Sequence, residues 1–461
     1  MNSVNENPLG SKAIPSLLKE FAIPSIIAML VSSLYNIVDQ FFIGQSVGSL
    51  GISATSVYYP LTIACISIAL LFGIGGASAF NLAMGMGKKD IAGYYIGNAA
   101  STMLLLGCGL AVFSLIFANP ILHFFGSPDE VLPYAMVYTR ICAIGSPFLI
   151  FSSGGSHLVR ADGSPKFSMY VNLTGAIINT VLDALFVFGF GWGMAGAALA
   201  TVIGQVIAAY MVFRYLQNYK TVRLGRESFL PQKQYVFRAM SLGTASFFNQ
   251  IAMMIMAIVL NKSLKYYGSI SEYGDSIPIA ISGIATKCMQ VIMAFVIGIS
   301  QGLQPIASFN YGAAQYKRVK QGYFLALRAG ALISIIAFIL FQTFPRQIIG
   351  IFGDGGEDYF RFAIHYIRIF FFFIFTYFMQ PITSNFFTAI GMPQRGIFLS
   401  LTRQIVYYLP LLLIIPIFVG IDGIMYAGAL ADLAAFITCL IVAWAEIRKP
   451  KYKENTGDTN E

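Results

Sequence analysis

Apolar stretches of about 20 residues recur twelve times along this chain, centred near residues 30, 65, 105, 145, 178, 205, 250, 293, 331, 374, 408 and 434. A stretch of that length spans the hydrocarbon of a bilayer as an α-helix. Inside lipid each backbone amide must find its partner within its own segment, so the expected fold is an all-α integral membrane bundle. Composition agrees, with 57% hydrophobic and 11% charged residues, against about 25% charged in an ordinary soluble domain. Almost no length remains for a soluble domain. The polar leader MNSVNENPLGSKAIPSLLKE carries no small-residue cleavage site, so no removable signal peptide is expected.

The formal net charge of +9 invites a nucleic-acid reading, but its placement argues otherwise. Most of the 29 Lys and Arg fall in alternate connections: the leader, Lys88-Lys89, Arg160 with Lys166, Arg214–Arg238, Lys317–Arg328, Arg395 with Arg403, and the tail from Arg448. The opposite connections, such as GQSVGSLG and GFGWGM, are nearly free of them. That alternation predicts both termini on the cytoplasmic side of the membrane and no nucleic-acid partner. The five cysteines and three histidines are scattered without metal or redox spacing.

The chain is duplicated. Gly163-Ser164-Pro165 recurs as Gly391-Met392-Pro393, Ala195-Gly196 recurs as Ala427-Gly428, and HFFGSP corresponds to GIFGDG. The expected organisation is a six-helix lobe over 1–218, a polar cytoplasmic linker over 219–235, and a second six-helix lobe with its tail over 236–461. Six helices per copy keep both copies in one orientation, a plan used by transporters with a cavity between the repeats. Small-residue runs such as GIGGASA (73–79) let membrane helices approach closely.

Two aspartates, Asp39 and Asp183, lie inside apolar runs of the first copy and have no counterpart in the second. A carboxylate at membrane depth costs about 3 kcal/mol, which marks each as a functional candidate. Asn179 is one helical turn from Asp183, and Asn172 extends that stripe. Tyr35 and Asn36 accompany Asp39, and Thr201 lies at a comparable depth on the sixth helix. Carboxylate, amide and hydroxyl oxygens suit a hard cation such as sodium, so Asp39, Asn179, Asp183 and Thr201 form the candidate ion site. The same carboxylates can instead take up a proton, because burial disfavours their charge. A structural pairing of either acid with Arg140 is the alternative. Pro24 removes one backbone hydrogen bond and marks either a hinge or a static kink.

In the second copy, Asp432 and Lys287 are expected to pair, structurally rather than as another ion site. The aromatic block at 369–380 and the methionines, Met253 and Met289 among them, offer surfaces that adapt to varied ligands, and Gln250 adds a polar contact. GDGGED at 353–358 reads as a loop, so the Asp-rich motifs of a membrane prenyl transferase are missing and no enzyme is expected.

These features resemble the multidrug and toxic compound extrusion (MATE) family, specifically its MepA-like and DinF-like branch. The most specific pieces are IPSIIAMLVSSLYNIVDQFFIG, RADGSP and NTVLDALFVFGF. The resemblance implies twelve helices in two pseudo-symmetric bundles and alternating access. It also implies export of cationic lipophilic compounds by a monomer, driven by protons or sodium ions with no other cofactor. In DinF-like members the matching positions, Asp39, Asn179, Asp183 and Thr201, hold the coupling ion. NorM-like members add acids on helices 7 and 10, where this chain has Asn249, Gln250, His365 and Gln380. A flippase for a lipid-linked oligosaccharide shares the two-lobe plan but would call for a cationic central cavity.

Overall fold

A computed structural model describes residues 7–274, 276–352 and 356–452, and among these the secondary structure is helical with no strand. The first half of GDGGED, 353–355, lies outside the described residues, while Glu357 and Asp358 open a helix rather than continuing a loop. Twelve helices are long and apolar enough to cross a membrane. In chain order they are α1 (Ile14–Val47), α2 (Ser49–Gly85), α3 (Lys89–Ile116), α4 (Leu132–Ala161), α5 (Pro165–Gly189) and α6 (Gly193–Gln217). The second set is α7 (Lys233–Ser269), α8 (Ser276–Gly312), α9 (Tyr316–Thr343), α10 (Glu357–Ala389), α11 (Pro393–Val419) and α12 (Asp422–Ile447).

Three departures from regular α-helix have local causes or consequences. The span expected around residue 374 is interrupted there: α10 stops at Phe370 and resumes at Met379. Between them the amides of Phe372, Ile374, Thr376 and Tyr377 bond to carbonyls three residues back, in tightened turns. Pro381 supplies a reason, since it has no amide for the Tyr377 carbonyl and its ring crowds that turn. Helices α5 and α11 each contain a π-helical stretch, Ala184–Gly189 and Thr402–Tyr408. Such turns re-aim side chains and recur at functional sites. Pro24 sits buried within a continuous α1, so it interrupts the hydrogen-bond ladder without ending the helix.

The two bundles join mainly where α2 packs along α7 and α8, and α1 along α8. Glycines permit that approach. A Cβ on Gly243 of α7 would lie 1.8 Å from the Leu71 carbonyl oxygen of α2, and one on Gly75 would lie 1.9 Å from the Ala239 carbonyl oxygen. Further along, Gly85 meets Phe309 O, Gly302 meets Ala22, and Gly298 meets Ile26, with no room for a side chain. Gln304 adds hydrogen bonds to Ile74 O (3.0 Å) and Ser78 Oγ (2.8 Å). All these contacts lie toward the helix ends that carry the basic connections, so the bundles are joined on that face.

The RADGSP turn has a role that the repeat comparison missed. Asp162 is buried and accepts from Tyr215 Oη (2.8 Å), Lys220 N (2.7 Å), Thr221 N (3.0 Å) and Thr221 Oγ1 (2.6 Å). It fastens the chain leaving α6 to the end of α4. The only sequence signal was an acid beside the glycine of a tight turn, and Ile390 takes its place in the second copy. Each such bond contributes about 1 kcal/mol net, so losing all four in Asp162→Ala should lower unfolding stability by about 4 kcal/mol. Thermal unfolding of the detergent-solubilised variant checks this. An unchanged midpoint would show that the turn is held by something else.

Candidate functional site: a buried acid cluster in the first bundle

Helices α1, α5 and α6 bring four expected residues into one cluster. Asp39 comes from the outer half of α1, Asn179 and Asp183 from consecutive turns of α5, and Thr201 from α6. The approach of α6 to α5 depends on Gly204, whose Cβ would stand 2.7 Å from Gly175 O and 3.3 Å from Asn179 Cβ. That contact allows Asn179 Nδ2 to donate to Thr201 Oγ1 at 3.1 Å. Tyr35, one turn before Asp39, lies near Thr201 and both acids. Asp183 is the last α-helical residue before the π stretch of α5.

All four are sequestered: Asp183 is 0% exposed, Asn179 2%, Asp39 7% and Thr201 8%. The two carboxylates are near enough to repel one another. Among the described residues neither forms an ion pair, and Arg140, the alternative partner, is exposed on α4 and joined to neither acid. Asp39 Oδ1, Asn179 Oδ1 and both carboxylate oxygens of Asp183 are buried without a hydrogen-bond donor. A buried acceptor left unpaired costs about 1–3 kcal/mol, more when it is charged. Four such oxygens within one cluster of neighbouring helices are suited to receive a proton or a small hard cation. Carboxylate, amide and hydroxyl oxygens are the donor types that such an ion takes.

The remaining candidates separate. Asn36 is exposed and donates to Ser32 O at 2.7 Å within its own helix. Asn172 lies toward the opposite end of α5, bonded to Ser156 Oγ and Ser168 O. Met289 packs against the core of the second bundle. Gln250 and Met253, in contrast, line a cavity of about 100 Å³ among α7, α8, α10 and α11, with Leu70 and Ile74 of α2 as a further wall. Its surface is rich in amides: besides Gln250 it presents Asn249, Gln301, Gln380, Asn385 and Gln404, with no Lys, Arg, Asp or Glu. Three of these, Gln301, Asn385 and Gln404, went unnoticed in the sequence. Single amides in apolar runs gave a weak signal, and only the packing gathers them.

The expected pairing of Asp432 with Lys287 is incorrect. Asp432 of α12 bonds Arg403, which lies in the π stretch of α11, and both side chains are buried. The Arg403 guanidinium also lies 4.8 Å from the centre of the Tyr377 ring and 5.8 Å from that of Tyr408. Lys287 faces outward on α8, beside an apolar groove. Arg403 had been grouped with the basic connections because it follows Arg395. The helix carries it inward, where Asp432 is neutralised by a fixed cation. The bundles thus differ: one holds two acids without a counter-ion, the other holds a closed pair.

Comparison with known proteins agrees with this architecture. The MatE family profile matches residues 24–185 and 245–414, one stretch in each half. The multidrug export protein MepA of Staphylococcus saprophyticus is 24% identical over 435 residues, covering 93% of each chain. MepA of Staphylococcus aureus is 25% identical over 432 residues, covering 92% of each. Among solved structures, a MOP superfamily transporter from Pyrococcus furiosus superposes with a TM-score of 0.88 at 20% identity, covering 97% of this chain and 98% of its own. An outward-facing MATE family transporter matches at a TM-score of 0.88 and 21% identity over the same shares. Two bundles of six helices, a profile match in each, and relatives of nearly equal length place this multi-pass membrane protein: the chain belongs to the MatE family, as a MepA-like transporter and not an enzyme.

Proposed function

We propose that this transporter exports cationic lipophilic compounds from the bacterial cytoplasm by antiport with protons or sodium ions, working as a monomer with both termini cytoplasmic. The observation that carries the reading is the set of unpartnered buried oxygens on Asp39, Asn179 and Asp183. Binding an inward-moving cation there satisfies those acceptors and cancels two like charges. That shifts the preferred packing of α1 against α5 and α6. Pro24, with its missing amide, is the place where α1 bends in response. The bundles joined at their basic ends then correspond to a state closed toward the cytoplasm, and alternating access requires those contacts to part.

The amide-lined cavity, with Met253 and Met293 on its wall, suits the substrate. Neutral hydrogen-bonding groups and adaptable thioethers accept varied molecules without demanding one shape. No basic side chain lines it, which disfavours the anionic headgroups of a lipid-linked oligosaccharide flippase. The relatives named as multidrug export proteins support the substrate class.

Reconstitution into liposomes with either a sodium or a proton gradient imposed alone tests the reading. One gradient is expected to drive uphill movement of a lipophilic cationic dye. If neither gradient moves the dye faster than protein-free liposomes, the antiport reading fails.

A further inference from the structure

A second group of uncompensated charge stands apart from the acid cluster, on the basic face. The first turns of α9 carry Lys317, Lys320 and Arg328, with Phe324 between them. Helical spacing places these on one side, while Val319, Gly322, Tyr323 and Ala326 are buried on the other. The basic side opens into a cavity of about 720 Å³ whose opposite wall is Ala13, Ile14 and Pro15 at the start of α1. The walls therefore come from both bundles.

Arg318 also borders the cavity, but its guanidinium is engaged with Leu9 O (3.1 Å), Lys12 O (2.6 Å) and Asn310 Oδ1 (2.8 Å). Lys317, Lys320 and Arg328 form no ion pair among the described residues. Acids on adjoining elements are already taken: Glu20 of α1 by Lys12 at 3.0 Å, and Glu446 of α12 by Arg395, Lys449 and Lys451. Three cations thus face one cavity with no anion supplied by the described residues.

The ligand class follows from depth. Eleven residues separate Lys317 from Arg328, about 16 Å along a helix axis. The upper cations sit at the end of the span, whereas Arg328 lies below Phe324 and near Leu332, which is largely exposed as lipid-facing residues are. A soluble anion would meet only the upper end. An amphiphile can place a phosphate among the cations and lay an acyl chain along Phe324 and Leu325, and basic pockets between membrane helices take anionic headgroups. We propose that this cavity is a binding site for an anionic phospholipid. Because α1 and α9 belong to different bundles, the bound lipid ties the bundles together in this arrangement.

Native mass spectrometry of the full chain, titrated with phosphatidylglycerol or phosphatidylcholine, tests the proposal. Phosphatidylglycerol should be retained about tenfold more tightly. The triple variant Lys317→Gln/Lys320→Gln/Arg328→Gln should lose the preference while keeping its helical circular dichroism, and Lys317→Arg/Lys320→Arg should keep it. Equal retention of the two lipids, or an undiminished preference in the triple variant, overturns the site. Displacement of the lipid by equimolar glycerol 3-phosphate would make it a soluble-phosphate site instead. Residues 453–461, which follow Tyr452 at the cavity rim, include Glu454, Asp458 and Glu461. If phosphatidylglycerol binds only after their deletion, the tail and not a lipid is the occupant.

Discussion

Asp39→Asn and Asp183→Asn are each expected to reduce gradient-driven dye efflux by about tenfold or more, while leaving the protein as stable or more stable. The two effects have one cause. The unpartnered oxygens of these acids raise the energy of the folded state, and an amide of the same shape removes a buried charge that no basic residue compensates. It also removes the charge that an entering cation would neutralise, so the ion can no longer bias the two packings by the 1.4 kcal/mol that a tenfold change requires. A structural ion pair would behave oppositely, because breaking one strands its partner and costs about 3–5 kcal/mol. Efflux in proteoliposomes and thermal unfolding in detergent, measured on the same variants, separate the cases. Full efflux in both variants, or a large loss of stability, would remove the acid cluster from the coupling mechanism.

Gly243→Val is expected to abolish transport by a different route. A Cβ at this position would lie 1.8 Å from the Leu71 carbonyl oxygen, well inside contact distance, and both neighbours are helix backbone that cannot swing aside. Helices α2 and α7 would have to separate by more than an ångström along the contact, where Gly75 and Ala239 meet in the same way. The arrangement joined at the basic face then becomes inaccessible, leaving the transporter held open on that side. Spin labels on the basic ends of α2 and α7 should report a longer distance in the variant, and dye efflux should fall to the protein-free rate. Wild-type distance together with wild-type efflux would show that the contact yields without cost. Gly48, whose Cβ would meet nothing within 4 Å, is a poor control because its φ of +74° is itself demanding. Gly109, with open space around it and no such backbone angle, is the appropriate one.

The acid cluster was legible in the sequence because it rests on two short-range facts. A carboxylate in an apolar run is conspicuous, and Asn179 falls one helical turn from Asp183 whatever the rest of the chain does. Thr201 joined them by its comparable depth on the sixth helix and by the family resemblance, and the fold supplies the means, through the Gly204–Gly175 contact that brings α6 against α5. Asn172 shares the face of Asn179 at helical spacing, yet two further turns carry it to another depth, where Ser156 engages it. Spacing along a helix indicates direction but not which neighbour waits there.

The second bundle shows where such reasoning stopped. Asp432 was matched with Lys287 because Arg403 reads as part of a basic connection, and which of the two cations turns inward depends on helix rotation. One residue of slip turns a side chain by about 100°, enough to send Arg403 inward and Lys287 outward. The π stretch of α11 supplies just such an offset. The same dependence hid the amide-lined cavity, whose six amides come from four helices.

The sequence by itself determined the twelve helices, their division into two copies, and the presence of acids that lipid cannot solvate. These follow from rules that act within one segment: backbone hydrogen bonds must close locally in hydrocarbon, and a charge there costs energy whatever surrounds it. Only the tertiary structure decided which charges meet, which oxygens remain unpaired, and which face joins the bundles. Those outcomes turn on helix rotation and on glycine contacts between segments more than 150 residues apart, as with Gly243 and Leu71, which no local pattern encodes.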